Sequence, residues 1–434
     1  MSFRLPADGR RWGPAAALAI LAFGFYAGIY ALWLSGRHDA YFAAMNFFGF
    51  NVWRMPFLDM MGNLSWGECF RRGIDVAKVN PCDPLGRPFN YGPIFLILPF
   101  SVRDAGWISP LQDIVFLGAA ALVLGPRGKW EWLAGAAALI SAMTLYGMER
   151  ANLDLFIFVL VAAGVLAAKR GGIGRAVSYA VYFFGGAMKL YPFSLLATMF
   201  REKPKPALLL AVAAEIAVGG FIWSSWPAPA PPRPGATGPL LSAYNIIAFG
   251  APLLPHYLGE QSPLLAALRP AIMAALLLAA LAGAVRFARR LNVAVPALDW
   301  SEPRYGFLLA GAILTASCFF PQVNVAYRAV FLIFLLPGFF ALARGPASPA
   351  IRRISVLAVW AVLFCLWNRC FQVQMESAVA GAGYAEAAKF AFFVARELVW
   401  WALMTVAAGI AFAFLFSSPL GRTVAVQLKK PISR

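Results

Sequence analysis

The sequence is poor in the residues that most soluble enzymes rely on. Charged residues fill 13% of its 434 positions, acids number 19, and there are two histidines, His38 and His256. So little charge beside 61% hydrophobic residues and a mean hydropathy of +0.70 excludes a soluble globular chain, which has no interior large enough for that much apolar side chain. The shortage of histidine and the lack of any Cys/His cluster argue against a zinc site, and no metal ligand set is expected. No Asp-x-Asp pair is present to chelate a divalent ion for a nucleotide-sugar donor. Gly125-Pro126-Arg127-Gly128-Lys129-Trp130 lacks the first glycine and the Ser/Thr of a phosphate-binding loop. Cysteine is scarce too. Of five, Cys69 and Cys82 share one polar segment, where they are either a disulfide or two free thiols, and Cys318, Cys365 and Cys370 lie in or beside apolar runs. Neither an internal repeat nor a soluble domain is visible, so residues 1–434 read as one integral-membrane domain.

What is present is a series of apolar runs, each close to the roughly 20 residues that cross a hydrocarbon core, and no alternating ten-residue segments. They predict an all-α polytopic membrane protein. The runs lie at 13–34, 107–125, 130–147, 152–168, 206–225, 263–285, 305–321, 327–344, 353–368 and 391–416, with 91–103 too short to cross and read as re-entrant or interfacial. The run at 13–34 is longer than a signal-peptide core and is read as a retained anchor. The stretch 178–200 has basic residues on both flanks, Lys169, Arg170 and Arg175 before it and Arg201, Lys203 and Lys205 after it. It therefore reads as a hairpin of two half-helices, broken near Gly185-Gly186 and Pro192, with Lys189 near the tip.

The net charge of +18 comes from short Lys/Arg clusters between apolar runs, the pattern of topology signals, and no nucleic-acid partner follows. Arg4, Arg10 and Arg11 ahead of the first run put the amino terminus in the cytoplasm, and the carboxyl terminus follows it there. The 37–91 loop then lies outside, in a cell inner (plasma) membrane. The same assignment sends Tyr91, the Gly147 to Asp154 turn, Lys189, Tyr244-Asn245, the Gln322 to Arg328 turn and Asn368-Arg369 to the outer face. A Pro-rich loop at 227–239 joins them there.

Within the 37–91 loop, Phe57-Leu58-Asp59-Met60-Met61-Gly62-Asn63 sets one carboxylate among apolar neighbours. Two roles fit Asp59: a carboxylate made more basic by partial desolvation and able to take a proton from a hydroxyl, or a loop residue capping the next helix. Met148-Glu149-Arg150-Ala151-Asn152-Leu153-Asp154 packs four polar groups between two runs. Arg150 and Asp154 fit an ion pair one turn apart, and Arg150 or Glu149 equally fits contact with a phosphate or a sugar hydroxyl. Lys189 beside Pro192 fits either a cation fixed toward a cavity or one snorkelling to the interface. In Gln322-Val323-Asn324-Val325-Ala326-Tyr327-Arg328, Asn324 and Arg328 stand one helical turn apart. Cations gathering with few acids suit an anionic lipid phosphate.

The order of an Asp in the first outer loop, Asn90-Tyr91-Gly92-Pro93, Glu149-Arg150-Ala151-Asn152-Leu153-Asp154 and Lys189-Leu190-Tyr191-Pro192 resembles that of the family 87 glycosyltransferases, over roughly residues 50 to 200, with a weaker echo at Tyr327-Arg328. The resemblance implies a GT-C-like bundle of about 10–12 membrane helices. It also implies transfer of a hexose, mannose first among candidates, from a polyprenyl-phosphate sugar to a lipid or glycan acceptor outside the cytoplasm. The reaction would invert the sugar and need neither metal nor cofactor. Asp59 would be the general base, and Arg150, Lys189, Arg328 and Tyr91 would hold the donor phosphate. Glu149, Asn152, Asp154, Tyr191, Asn324 and Tyr327 would line the sugar or acceptor cavity. The chain departs from the family pattern at Gly92, where relatives often have Pro, and at Ala151, where Gly is common. The competing class is a transporter or lipid flippase with an outward-facing polar cavity.

Overall fold

A computed structural model describes residues 12–50, 52, 55–89, 91–225, 248–295, 298–345 and 347–428. Arg4, Arg10 and Arg11, Asn90, the Pro-rich loop at 227–239 and Tyr244-Asn245 lie outside the described residues. The described residues are almost entirely helical, as a chain must be where hydrocarbon offers its backbone no partners. The first eight helices are α1 (Trp12–Leu34), α2 (His38–Phe47), α3 (Leu58–Arg71), α4 (Ala105–Leu124), α5 (Lys129–Leu139), α6 (Ala142–Glu149), α7 (Leu153–Ala168) and α8 (Gly172–Met188). Two two-residue strands, β1 (Ala248–Phe249) and β2 (Asn324–Val325), pair antiparallel with Ala248 opposite Val325.

Among the described residues, seven helices are long and apolar enough to cross a membrane: Gly13–Leu34, Val102–Leu124, Pro204–Trp223, Pro263–Ala294, Ala326–Arg344, Pro349–Ala378 and Ala385–Ser417. Large apolar side chains such as Ile20, Leu209, Trp223 and Trp360 stand exposed on them. An apolar exterior of this kind is what a lipid-facing surface requires, and the chain is a multi-pass, all-α membrane protein.

The remaining apolar runs are shaped differently from the predicted spans. The run at 130–147 is not one helix: it breaks at Ser141, whose hydroxyl accepts from the Thr144 amide at 3.4 Å and caps α6. α6 and α7 then meet at a bend of 109°, the shape of a broken span or a re-entrant loop. The 178–200 run does fold back on itself, but at Lys189, which is extended (φ −153°), rather than at Gly185-Gly186. Its second limb is a 3-10 helix, Tyr191–Arg201. The open end of this hairpin is tied by Arg175 to Glu202 at 2.5 Å and by the Tyr179 hydroxyl, which donates to the same carboxylate at 2.8 Å. The run at 305–321 becomes Pro303–Phe319, 17 residues long, short for a crossing and enclosed by its neighbours. Residues 91–103 hold only two 3-10 turns, Pro93–Leu96 and Val102–Asp104.

These breaks sort the bundle into two ends. At one, Arg304 and Arg344 reach back to Glu131 of α5, beside the α4–α5 turn. At the other, the entry to α3, the α6–α7 bend, the tip of the α8 hairpin and the β2 segment come together. Between the two ends the helices are held by aromatic packing, for example Phe158 stacked on Phe334 at 4.0 Å.

Candidate functional site

The second end is built from irregular backbone. α6 closes with a Schellman motif, in which the Ala151 amide donates to Met148 O at 2.8 Å and the Asn152 amide to Gly147 O at 2.9 Å. The motif demands a left-handed residue, and Ala151 takes that place at φ 45°. Phe57 is also left-handed (φ 67°), and its amide donates to Glu149 O at 2.7 Å, while the Asp59 amide donates to Arg150 O at 3.0 Å. Two strained residues thus clamp the start of α3 onto the α6–α7 bend and fix Asp59 against Arg150.

Asp59 is largely covered, its side chain 12% exposed. Arg150 Nη2 donates to its Oδ1 at 2.6 Å, Arg87 Nη1 donates to the same oxygen at 3.0 Å, and Asn152 Nδ2 donates to Oδ2 at 2.6 Å. This corrects the expectation of a carboxylate made more basic by desolvation. Burial does push the carboxyl up, but the charge and hydrogen bond of Arg150, the Asn152 amide and the charge of Arg87 outweigh it, and the group is held below the usual carboxylate range. Nor does Asp59 cap α3 through its side chain, since the residue in the cap position is Phe57.

Asn152 links Asp59 to a second carboxylate. Its Oδ1 accepts from the Asp154 amide at 3.0 Å, capping α7, and from Lys189 Nζ at 3.4 Å. Asp154, fully buried, accepts from Lys189 Nζ at 2.5 Å and from the Tyr191 hydroxyl at 2.8 Å, and pairs with Arg328 Nε at 3.4 Å. Arg150 and Asp154 therefore do not pair with each other, because α7 starts only at Leu153 and leaves at the sharp bend. Lys189 Nζ also lies over the rings of Tyr91 at 4.8 Å and Tyr327 at 5.7 Å, so it is enclosed and does not snorkel. Arg328 lies over the Tyr191 ring at 5.0 Å and donates through Nη1 to Asn324. Burial, together with Asp154 and Asp59, raises the Tyr91 hydroxyl above its ordinary range and keeps it a neutral donor.

Ten of the predicted residues are thus gathered: Asp59, Tyr91, Arg150, Asn152, Asp154, Lys189, Tyr191, Asn324, Tyr327 and Arg328. Glu149 is not among them. It turns to the far side of the α6 end, within side-chain hydrogen-bond reach of Tyr41. The reading missed Arg87, which holds Asp59 while Asp83 grips its other nitrogens at 2.8 and 2.9 Å. The signal was there, an Asp and an Arg four apart, each followed by a proline (Pro84 and Pro88), in the same polar loop. Arg369 was not singled out as a site residue. Its Nε donates to Gly49 O at 2.8 Å, while its Nη1 has no hydrogen-bond partner.

The cations here are not free, since Arg87, Arg150, Lys189 and Arg328 each face a carboxylate. Even so, four of them meet three acids, Asp59, Asp83 and Asp154, and among the described residues the buried Nε of Arg150 has no hydrogen-bond partner, while that of Arg328 has only the ion pair with Asp154 at 3.4 Å. Buried N–H groups in that state are suited to an arriving anion.

The departure at Gly92 has a local cause. Its amide donates to Met188 O at 3.1 Å, and a Cβ there would meet Ala187 O at 1.7 Å, so a proline would lose the bond and clash. Gly92 lets Tyr91 close on the Lys189 break. The loop bearing Arg87 is tied to α3 by a disulfide, Cys69–Cys82, which decides the alternative left open by sequence. Compared with protein-family models, with curated proteins and with solved structures, the chain matches none.

Proposed function

We propose that the chain is a membrane glycosyltransferase that moves a hexose, mannose first among candidates, from a polyprenyl-phosphate sugar to a lipid or glycan acceptor, with Asp59 as general base. The observation that carries this reading is the single cluster of hydrogen bonds and ion pairs in which Asp59, Asn152, Asp154, Lys189, Tyr191 and Arg328 meet from distant parts of the chain, with the Nε–H of Arg150 left over for an anion. The resemblance to family 87 glycosyltransferases supports it on the same residues.

In this reading the donor phosphate takes hydrogen bonds from Arg150 and Arg328 and draws Arg150 off Asp59. Losing a cation makes the carboxylate more basic at the moment when substrate is present. Asp59 then accepts the proton of the acceptor hydroxyl, and the hydroxyl oxygen bonds to the anomeric carbon from the opposite face. The bond from that carbon to the phosphate oxygen breaks, its electron pair leaving with the polyprenyl phosphate. The second charge gained by the leaving phosphate is balanced by Arg150, Lys189 and Arg328 rather than by a metal.

The outer side of the membrane is the side that fits. A disulfide in the 37–91 loop belongs to an oxidising compartment, and the turns at the far end of the bundle carry Arg127, Lys129, Lys169, Arg170, Arg201 and Lys203, as cytoplasmic turns do. The bent α6–α7 pair and the broken hairpin at Lys189 give a transporter or flippase a specific claim too, since such breaks line pathways. Incubating membranes with radiolabelled polyprenyl-phosphate mannose decides between them. Label moved into a new product by wild type and not by Asp59→Asn supports transfer. Equal turnover in the two removes Asp59 as the base, and no product from any polyprenyl-phosphate sugar favours transport.

A further inference from the structure

On the other face of the α6 end lies a second cavity, of about 330 Å³, walled by α1, α2, α4 and α6 with Phe57 at its edge. Phe23, Leu34 and Ile114 line it and are at least half exposed, so it opens sideways from the helices toward lipid. Its walls are apolar except for three tyrosines and two carboxylic acids, Asp113 and Glu149, 9% and 5% exposed. Neither acid has a salt bridge. Asp113 Oδ1 and Glu149 Oε2 are buried with no hydrogen-bond partner. Two buried carboxyl oxygens left without a partner in an apolar groove call for donors from outside the chain, since buried polar oxygens are otherwise satisfied.

We propose that this groove takes up the apolar chain of a hydroxyl-bearing lipid, its O–H groups donating to Asp113 and Glu149, and that it is the acceptor's way in. The proposal rests on the transfer reading for the acceptor's role, though not for the binding itself. The lining separates this groove from the cationic cluster. A phosphate finds Arg150, Lys189 and Arg328 on one side of the α6 end and a groove lined by no Lys or Arg on the other, so an anionic head meets no counter-charge there and a hydroxyl head needs none. The geometry joins the two compartments through adjacent residues. Glu149 lines the groove while Arg150 holds Asp59, and Phe57 lines the groove two positions before Asp59.

The experiment is photolabelling of the full-length protein in nanodiscs, with no sugar donor present. Three diazirine-tailed probes of equal chain length are compared: an alkyl glucoside, a diacylglycerol and a phosphatidic acid. Peptides covering 105–124 and 142–149 should be labelled at least about fivefold more by one or both hydroxyl-headed probes than by phosphatidic acid, a ratio set by the cost of seating a phosphate where no cation meets it. Preference for the glucoside names a sugar-headed source, and preference for diacylglycerol a simple lipid alcohol. Ala27→Trp, or Ala31→Phe should the first variant fold poorly, should fill the groove and remove the labelling. Asp113→Leu should lower labelling by the hydroxyl-headed probes toward that by phosphatidic acid. Equal labelling by all three probes in wild type, or labelling indifferent to both filled variants, overturns the proposal. Since no turnover is read, failure of the transfer reading leaves this result standing, and an active transferase with an unlabelled groove overturns this proposal alone.

Discussion

Asp59 and Glu131 are both carboxylates gripped by two arginines, at opposite ends of the same bundle, and their surroundings differ. Glu131 receives two bonds from Arg304 at 2.5 and 3.1 Å, one from the Arg127 amide at 2.8 Å and the charge of Arg344 at 2.7 Å. Its partners stand on regular helices or at a helix start, and Arg304 and Arg344 keep no buried nitrogen unpartnered. Asp59 is approached by side chains from an irregular loop and a bent helix junction, with left-handed residues on both sides and an arginine whose Nε is unsatisfied. One end is a finished tie. The other keeps unspent donors and strained backbone, the features that accompany binding and turnover.

Exchanging the two acids is the sharpest way to break this comparison. Asp59→Asn should lower sugar transfer per folded molecule by about 10²–10⁴-fold, the usual contribution of a general base, with folded protein still recovered in size-exclusion. Glu131→Ala should do the reverse. It strands Arg304, which costs about 3–5 kcal/mol of stability, read as a lower melting temperature with activity per folded molecule preserved. If both variants lose only stability, the distinction between the two ends is gone.

Gly92→Ala tests the close approach that seats Tyr91. It should cost about 1–3 kcal/mol and reduce transfer, because Tyr91 no longer closes over Lys189. Ala151→Gly should act in the opposite direction, relieving about 1 kcal/mol of left-handed strain and raising the melting temperature. The smallest effect is that of pH. The carboxyl of Asp59 is depressed in the folded chain, so its stabilisation is complete above the unfolded value of about 3.9 and is lost as pH falls through the folded one. Asp59→Asn should therefore lower stability across pH 5 to 8 and flatten the acid limb below about pH 4, where the wild type has itself lost that contribution.

The membrane class and most of the site were legible because length and hydropathy report crossing helices directly, and because Asp59, Arg150, Asp154, Lys189 and Arg328 are charges where apolar residues are the rule. Partnership was not legible. Whether Arg150 reaches Asp154 or Asp59 depends on a 109° bend that local spacing does not encode, and the break at Ser141 rests on a single cap inside a run that reads as continuous. Glu149 was misplaced for the same reason. Adjacent residues at a helix end point to different compartments, and one turn of backbone decides which. Arg87 escaped notice because surface-loop arginines are common, and only its burial beside Asp59 sets it apart.

The Cys69–Cys82 bridge joins the helix that carries Asp59 to the loop that carries Arg87, leaving the rest of the bundle untouched. Helices can insert and pack before it forms, and closing it narrows the search by which the Arg87 loop finds Asp59. Two forces of different chemistry then act on one polar end, hydrocarbon on the helices and an oxidant on the loop. A chain held under reducing conditions should keep its bundle and hold the Arg87 loop less firmly on Asp59.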